Sequence, residues 1–230
     1  MNKNTLRLGY LAAWGNIILT IILIVGFLLQ FIIVPDRGWV DCKTSYYTID
    51  TSRSFLSDFC EFIYIFQTPL ILILFACFHD YASGSLKIFS RISLCLIISF
   101  TALRTLSYIV ELAIRSINFH SCKADCCLYL TYTLFQKAVC SVDAMAMTVF
   151  LGIAELFIIP VFSKTNKIEK NIRLNMFIAG MTNLVAALMF ILDKSGIFDI
   201  CMLFSYIFFN VITILLIKFF RQHKLQENEG

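Results

Sequence analysis

Residues 9–34 read GYLAAWGNIILTIILIVGFLLQFIIV, an apolar stretch without a charged side chain. A membrane-spanning helix needs about 20 such residues, because the hydrocarbon core is ~30 Å thick and each helical residue advances about 1.5 Å. A secretory signal peptide has a shorter apolar core of roughly 7–15 residues, followed by a small-residue cleavage site that is missing here. We therefore interpret this stretch as a retained transmembrane helix.

Five further apolar blocks follow near residues 56–79, 88–114, 138–162, 172–193 and 197–220. Apolar residues make up 59% of the 230 positions and charged residues 15%, against about 45–50% and about 25% in soluble domains. We predict an all-α polytopic membrane bundle of about six transmembrane helices, forming one transmembrane domain over residues 1–230. Five helices remain an alternative if one block is only partly inserted, and seven if 128–136 forms its own segment.

Three local features add detail to this prediction. Pro69 lies inside the second block, where it should kink the helix unless neighbouring groups satisfy the carbonyl that loses its N–H partner. The fourth helix begins either near Ala138 or earlier, near Leu128. The short turn from Asp193 to Gly196 predicts that the last two helices form an antiparallel hairpin.

The distribution of Lys and Arg predicts the orientation, because cytoplasmic connections carry an excess of them. Eleven of the 19 lie at the amino end, in the second and fourth connections and in the tail, and seven lie in the other connections. We therefore expect both termini in the cytoplasm, in a plasma membrane or a bacterial inner membrane. The net charge of +4 sits at segment ends, so no nucleic-acid partner is expected.

With this orientation Cys42, Cys122, Cys126 and Cys127 lie in the outer loops. Disulfides persist on the oxidising side of a membrane, so we predict that Cys42 bonds to one of the other three. His120 precedes the cysteines in the pattern H-x-C-x3-C-C, which lacks the paired C-x2-C spacing of zinc sites. The sequence therefore predicts no metal site, and it predicts no cofactor.

Arg104 is the most informative residue, because it lies within an apolar block 13 residues beyond Arg91. This distance corresponds to roughly 20 Å along a helix. An Arg at the membrane centre costs about 2.5–3.5 kcal/mol to insert, so it should face protein or water rather than lipid. At about 100° per residue, Glu111 and Arg115 fall on the same side of the helix within about 40°. The third helix therefore carries one polar face.

Residues on other helices are candidate partners for this face. Carboxylates lie toward the outer helix ends and amides near the middle of their spans. Together they give the candidate ligand-binding set of Arg104, Glu111, Gln67, Asp143, Glu61, Asn183 and Asn210. An acidic vestibule above a buried Arg would suit a small anionic or zwitterionic solute. The alternative is that these residues pack helices together, since interhelical hydrogen bonds are worth about 0.6–2 kcal/mol each.

Glu155 lies deeper in the fourth helix, about 120° around the axis from Asp143. The two carboxylates should therefore not share a face. Two interpretations of Glu155 stay open: a protonatable site within the membrane, or an ion pair with a basic loop residue.

Enzyme signatures are missing. No intramembrane His accompanies a Ser or Cys nucleophile, and the sequence has no P-loop, C-x-x-C or H-E-x-x-H pattern. Three functions stay open: a small transporter or channel-like protein with a polar cavity around Arg104, a non-catalytic sensor or accessory subunit, and, less favoured, an intramembrane enzyme acting on lipid. The expected partners are membrane lipids, together with a small solute, a second copy of the chain or a partner subunit.

Asp58 opens the second helix, the second loop is short, and Phe89–Ser90–Arg91 leads into the third helix. In these features the chain resembles small bacterial six-span membrane proteins of a family with uncharacterised function. The resemblance covers most of the chain as a hydropathy pattern, and it implies a six-helix fold without assigning functional residues. The cysteine-bearing third loop departs from that pattern.

Overall fold

A computed structural model describes residues 2–33, 55–116 and 126–229. Its α-helices are α1 (Lys3–Ile33), α2 (Phe55–Tyr81), α3 (Lys87–Ser116), α4 (Cys126–Met145), α5 (Leu151–Ile158), α6 (Lys167–Ile191) and α7 (Ser195–Glu229). A π-helical turn, Ala146–Phe150, joins α4 to α5 into one span. Within these ranges the chain has no strands, and six spans are long and apolar enough to cross a membrane. The predicted all-α fold class is confirmed, and the six spans fit an integral membrane protein.

The helix bounds differ from the prediction at their ends. α1 begins at Lys3 rather than near Gly9, and α7 continues to Glu229 rather than ending near residue 220. α4 begins at Cys126, which agrees with the earlier of the two predicted starts of the fourth helix. The physical reason is that hydropathy marks only the part of a helix that lies in hydrocarbon, whereas backbone hydrogen bonding continues into polar residues.

The helices form a closed ring in which neighbours in the chain are neighbours in space. α1 packs on α2, α2 on α3, α3 on α4 and α5, α5 on α6, and α6 on α7, which returns to α1. Each helix buries one side in the ring, and large apolar side chains such as Leu11, Leu106 and Ile191 remain exposed on the outside. An apolar exterior of this extent is expected of a surface that contacts lipid.

One end of the ring holds the start of α1 and the end of α7, and we call it the terminal end. Here Cys77 Sγ donates a hydrogen bond to the Thr5 carbonyl over 3.5 Å, and Tyr81 Oη donates to Glu169 Oε2 over 3.2 Å. The Tyr81 ring meets the ring of Phe219 edge-on, with centroids 5.1 Å apart. Aromatic packing therefore closes this end of the bundle. Which face of the membrane it occupies stays a prediction.

Pro69 lies inside α2 without ending it. Proline cannot donate a hydrogen bond to the carbonyl four residues earlier, and here Thr68 Oγ1 donates to that Ile65 carbonyl over 3.3 Å. The same hydroxyl lies 3.1 Å from Thr105 Oγ1 on α3. The Thr68 side chain therefore satisfies the carbonyl that loses its N–H partner, which is the condition under which Pro69 was expected to be tolerated. The same side chain also links α2 to α3.

The α6–α7 hairpin is also present. Asp193, two residues after the last residue of α6, has a φ of 60°, and Lys194 N–H donates to the Met189 carbonyl over 2.9 Å. This is the pattern in which a left-handed residue reverses the chain after a helix.

The predicted disulfide stays a prediction, because its cysteines lie outside the described residues or at positions whose side chains are not described: Cys42, Cys122, Cys126 and Cys127. Among the described side chains, the free thiols are Cys60, Cys77, Cys95 and Cys201.

Candidate functional site

Arg104 belongs to the buried face of α3. This face continues the stripe formed by Ile97 and Phe100, and it includes Ser107 and Tyr108 at helical spacing. Arg104 itself is only 6% exposed. A guanidinium this deeply buried needs hydrogen-bond acceptors within the protein, because a buried charge is costly unless it is paired and hydrogen-bonded.

The first partner of the guanidinium is the hydroxyl of Tyr108, one turn further along α3. Arg104 Nε and Nη2 both donate to Tyr108 Oη, over 3.1 Å and 2.8 Å. Nη1 points at Met147 Sδ on the π-helical turn. Three of the five N–H groups of the guanidinium are therefore directed at side chains of the same chain.

The second partner is Asp143 on α4. Its Oδ1 lies 3.5 Å from Arg104 Nε, and the Asp143 side chain is 28% exposed against 7% for that of Arg104. Glu111 on α3 interacts electrostatically with Asp143. The expectation that Arg104 pairs with a carboxylate from another helix is therefore met by Asp143.

Aromatic rings enclose the guanidinium. The Arg104 Cζ atom lies 4.7 Å from the ring centroid of Tyr64, 5.3 Å from that of Tyr108 and 5.8 Å from that of Phe100. The rings of Tyr64 and Tyr108 are stacked, with centroids 5.4 Å apart and planes inclined by 8°. Cation–π contacts of this kind contribute about 0.5–2 kcal/mol, the larger values applying away from water.

The backbone beside this cluster is irregular. The π-helical turn begins three residues after Asp143 and contains Met147, which contacts the guanidinium. Ala146 and Thr148 of this turn are fully buried, and Thr148 Oγ1 donates to the Ala144 carbonyl over 2.7 Å. Single π-helical turns inside α-helices are frequent at functional sites.

Three other predicted residues make hydrogen bonds elsewhere in the bundle, namely Gln67, Asn183 and Asn210. Gln67 Nε2 donates to Thr20 Oγ1 on α1 over 3.1 Å, and Asn183 Nδ2 donates to Glu155 Oε2 over 3.0 Å. Asn210 Nδ2 donates to the Tyr206 carbonyl of its own helix over 2.8 Å. The structure thus places Asp143 against Arg104, with Glu111 near enough to interact electrostatically with Asp143, and it distributes these amides among other contacts.

Glu61 lies on α2, one turn before Tyr64, and the side chain of Arg115 is outside those that the structure describes.

Three residues of this cluster were not predicted from the sequence, namely Tyr108, Tyr64 and Met147. Tyr108 could have been predicted, because it follows Arg104 by four residues and residues four apart on a helix lie on one face. Tyr64 and Met147 come from other helices, and no local pattern marks them.

Among the described side chains, no group of three or more His, Cys, Asp or Glu is arranged to hold a metal ion. No family model, curated protein or solved structure matches this chain. Its resemblance to small six-span proteins therefore stays a prediction, and its function has to be argued from the geometry of its polar residues.

Proposed function

We propose that this chain is a non-catalytic multi-pass membrane protein, a sensor or accessory subunit, whose buried polar side chains hold the helices together. The observation that carries the proposal is the enclosure of Arg104. Arg104 is 6% exposed, and its guanidinium contacts Tyr64, Tyr108, Asp143 and Met147 of the same chain. An anionic ligand would have to displace Asp143 or part the stacked rings before it reached the positive charge.

Polar contacts elsewhere in the ring support the same role. At least one side-chain hydrogen bond joins each of five neighbouring helix pairs: Gln67–Thr20 for α2 and α1, Thr68–Thr105 for α2 and α3, Ser93–Ala154 for α3 and α5, Asn183–Glu155 for α6 and α5, and Asn16–Thr213 for α1 and α7. Such bonds contribute about 0.6–2 kcal/mol each within a membrane. Their spread around the ring is what helix packing requires, whereas a binding cavity would gather them in one place.

The second candidate function is a small transporter or channel-like protein for an anionic or zwitterionic solute. Two observations favour it. Asp143 is partly exposed although it pairs with a buried Arg, and the π-helical turn beside the pair is a backbone irregularity of the kind found at functional sites. A solute that entered past Asp143 would compete with it for the guanidinium.

Access of water to Arg104 distinguishes the two candidates. Ser107 lies on the buried face beside Arg104, whereas Ser85 is exposed in the turn before α3. We expect Ser107→Cys in the purified chain to stay unlabelled by a charged methanethiosulfonate, while Ser85→Cys is labelled, as measured by peptide mass spectrometry. Equal labelling at both positions would overturn the packing role and favour transport.

We also propose that the terminal end faces the cytoplasm, in a plasma membrane or a bacterial inner membrane, with lipid around the apolar exterior. Support comes from the larger share of Lys and Arg in the segments at this end.

A further inference from the structure

α5 and α6 cross with their backbones in contact at Gly152 and Gly180. A Cβ atom added to Gly180 would lie 2.9 Å from the Gly152 carbonyl oxygen. One added to Gly152 would lie 2.8 Å from Asn183 Cβ and 3.1 Å from the Gly180 carbonyl oxygen. Only glycine permits helices to approach this closely, and small residues at such crossings are typical of membrane bundles.

Glu155 and Asn183 each lie three residues after one of these glycines, and their side chains meet. Asn183 Nδ2 donates to Glu155 Oε2 over 3.0 Å, and the two residues are 0% and 1% exposed. Their remaining oxygens, Glu155 Oε1 and Asn183 Oδ1, are buried without a hydrogen-bond partner in the described part of the chain. Each residue of the pair therefore has one acceptor oxygen without a donor, and the pair lacks the hydrogen that could join these two oxygens.

The described charged side chains of the helices around this pair either contact other residues or are exposed. On α3, Arg104 contacts Tyr108 and Asp143, and Arg91 is exposed.

On α6, Arg173 Nη1 donates to the Phe162 carbonyl over 2.7 Å, and Glu169 accepts from Ser163 N and Tyr81 Oη. The remaining basic residues of α6, Lys167 and Lys170, are exposed. The group of α3 that reaches α5 beside Glu155 is the hydroxyl of Ser93, which donates to the Ala154 carbonyl over 2.7 Å. The ion pair with a basic loop residue that the sequence left open therefore has no support among these contacts.

We propose that Glu155 is an intramembrane proton-binding site. The proton is bound to Glu155 Oε1, and this O–H donates a hydrogen bond to Asn183 Oδ1. Together with the bond from Asn183 Nδ2 to Glu155 Oε2, it forms a cyclic acid–amide pair with two hydrogen bonds. One proton then satisfies both orphaned acceptors and removes an isolated charge from the interior, where it is costly. This site goes beyond the proposed packing role, because it binds a ligand, the proton, at a position separate from Arg104.

Infrared spectroscopy of the purified full chain at neutral pH tests the protonation directly. We expect a carbonyl-stretch band of a protonated carboxylic acid, which disappears in Glu155→Gln. The matched control is Asp80→Asn, which removes an exposed carboxylate and should leave the band intact. A folded wild-type chain without this band, or a band that survives in Glu155→Gln, would overturn the proposal.

Thermal unfolding of the same variants gives a second, independent measurement. Gln at position 155 carries an N–H where the neutral acid carries its O–H, so it reproduces both hydrogen bonds to Asn183. We therefore expect Glu155→Gln to melt at the wild-type temperature and Asn183→Leu to melt well below it. Failure of Glu155→Gln to fold would contradict the proposal, because an ionised Glu155 is the form that an amide cannot replace.

Discussion

Replacement of Arg104 by Leu tests the central electrostatic contact of the bundle. The substitution leaves Asp143 without its guanidinium, and Asp143 Oδ1 is buried with no hydrogen bond to replace the ion pair. Removing one partner of a buried ion pair costs about 3–5 kcal/mol. Because the Asp143 side chain is 28% exposed, part of it keeps contact with water, and we expect the lower value of about 3 kcal/mol.

The double variant Arg104→Leu/Asp143→Leu removes both charges at once. Replacing a buried ion pair by apolar residues is often neutral, and the remaining loss comes from Tyr108, whose hydroxyl no longer accepts from the guanidinium. We expect the double variant within about 1 kcal/mol of wild type, close to the net worth of one hydrogen bond. The second substitution should therefore restore about 2 kcal/mol, because the effects of residues in contact are not additive.

The assay is thermal unfolding in one detergent, with all variants prepared alike. For a chain of this size, 1 kcal/mol corresponds to roughly 2–4 °C, so the single variant should melt about 6–12 °C lower. Arg91→Leu is the matched control, since Arg91 is exposed on the same helix and should change stability by less than about 0.5 kcal/mol. A single variant as stable as wild type, or a double variant no better than the single, would refute the pairing.

Three further predictions concern other contacts. Tyr108→Phe removes the acceptor of two guanidinium hydrogen bonds and should cost about 1.5–3 kcal/mol by thermal unfolding; an unchanged melting temperature would contradict that geometry. Gly180→Ala places a Cβ 2.9 Å from a backbone oxygen of α5 and should cost about 1–3 kcal/mol, whereas Gly196→Ala, with open space around its Cβ, should be neutral or slightly stabilising; equal melting temperatures would refute the close crossing. A single cysteine at position 167 should escape an impermeant reagent in intact cells and one at position 123 should react, while the reverse result would invert the topology.

The six spans were predictable because the free energy of transfer into hydrocarbon adds up over about 20 residues, whatever the neighbours are. The span at residues 9–34 can be predicted without tertiary information. The burial of Arg104 can be predicted in the same way, because it follows from the depth of this residue within an apolar block. The ends of α1 and α7 were not predictable in this way, because their last turns lie outside hydrocarbon and depend on backbone hydrogen bonds alone.

The choice of partners depends on how each helix is rotated, and the whole ring sets that rotation. Asp143 and Gln67 were equal candidates for Arg104, yet Gln67 meets Thr20 on α1. The π-helical turn changes the direction of the side chains after residue 145 relative to those before it in the fourth span. No residue type predicts such a turn. Tyr108 could have been found, because it lies one turn from Arg104 on the same face.

The fourth span packs on both α3 and α6, and its two carboxylates therefore belong to separate polar sites. Asp143, before the π-helical turn, pairs with Arg104 on α3, whereas Glu155, after the turn, binds Asn183 on α6. The guanidinium of Arg104 has an ion-pair partner within the chain, while the Glu155 pair has acceptors in excess of donors. Because the sites share no partner, their variants should act independently. Arg104→Leu should lower the melting temperature and keep the acid band, and Glu155→Gln should remove the band and keep the melting temperature. An acid band that disappeared in folded Arg104→Leu would show instead that the two sites are coupled.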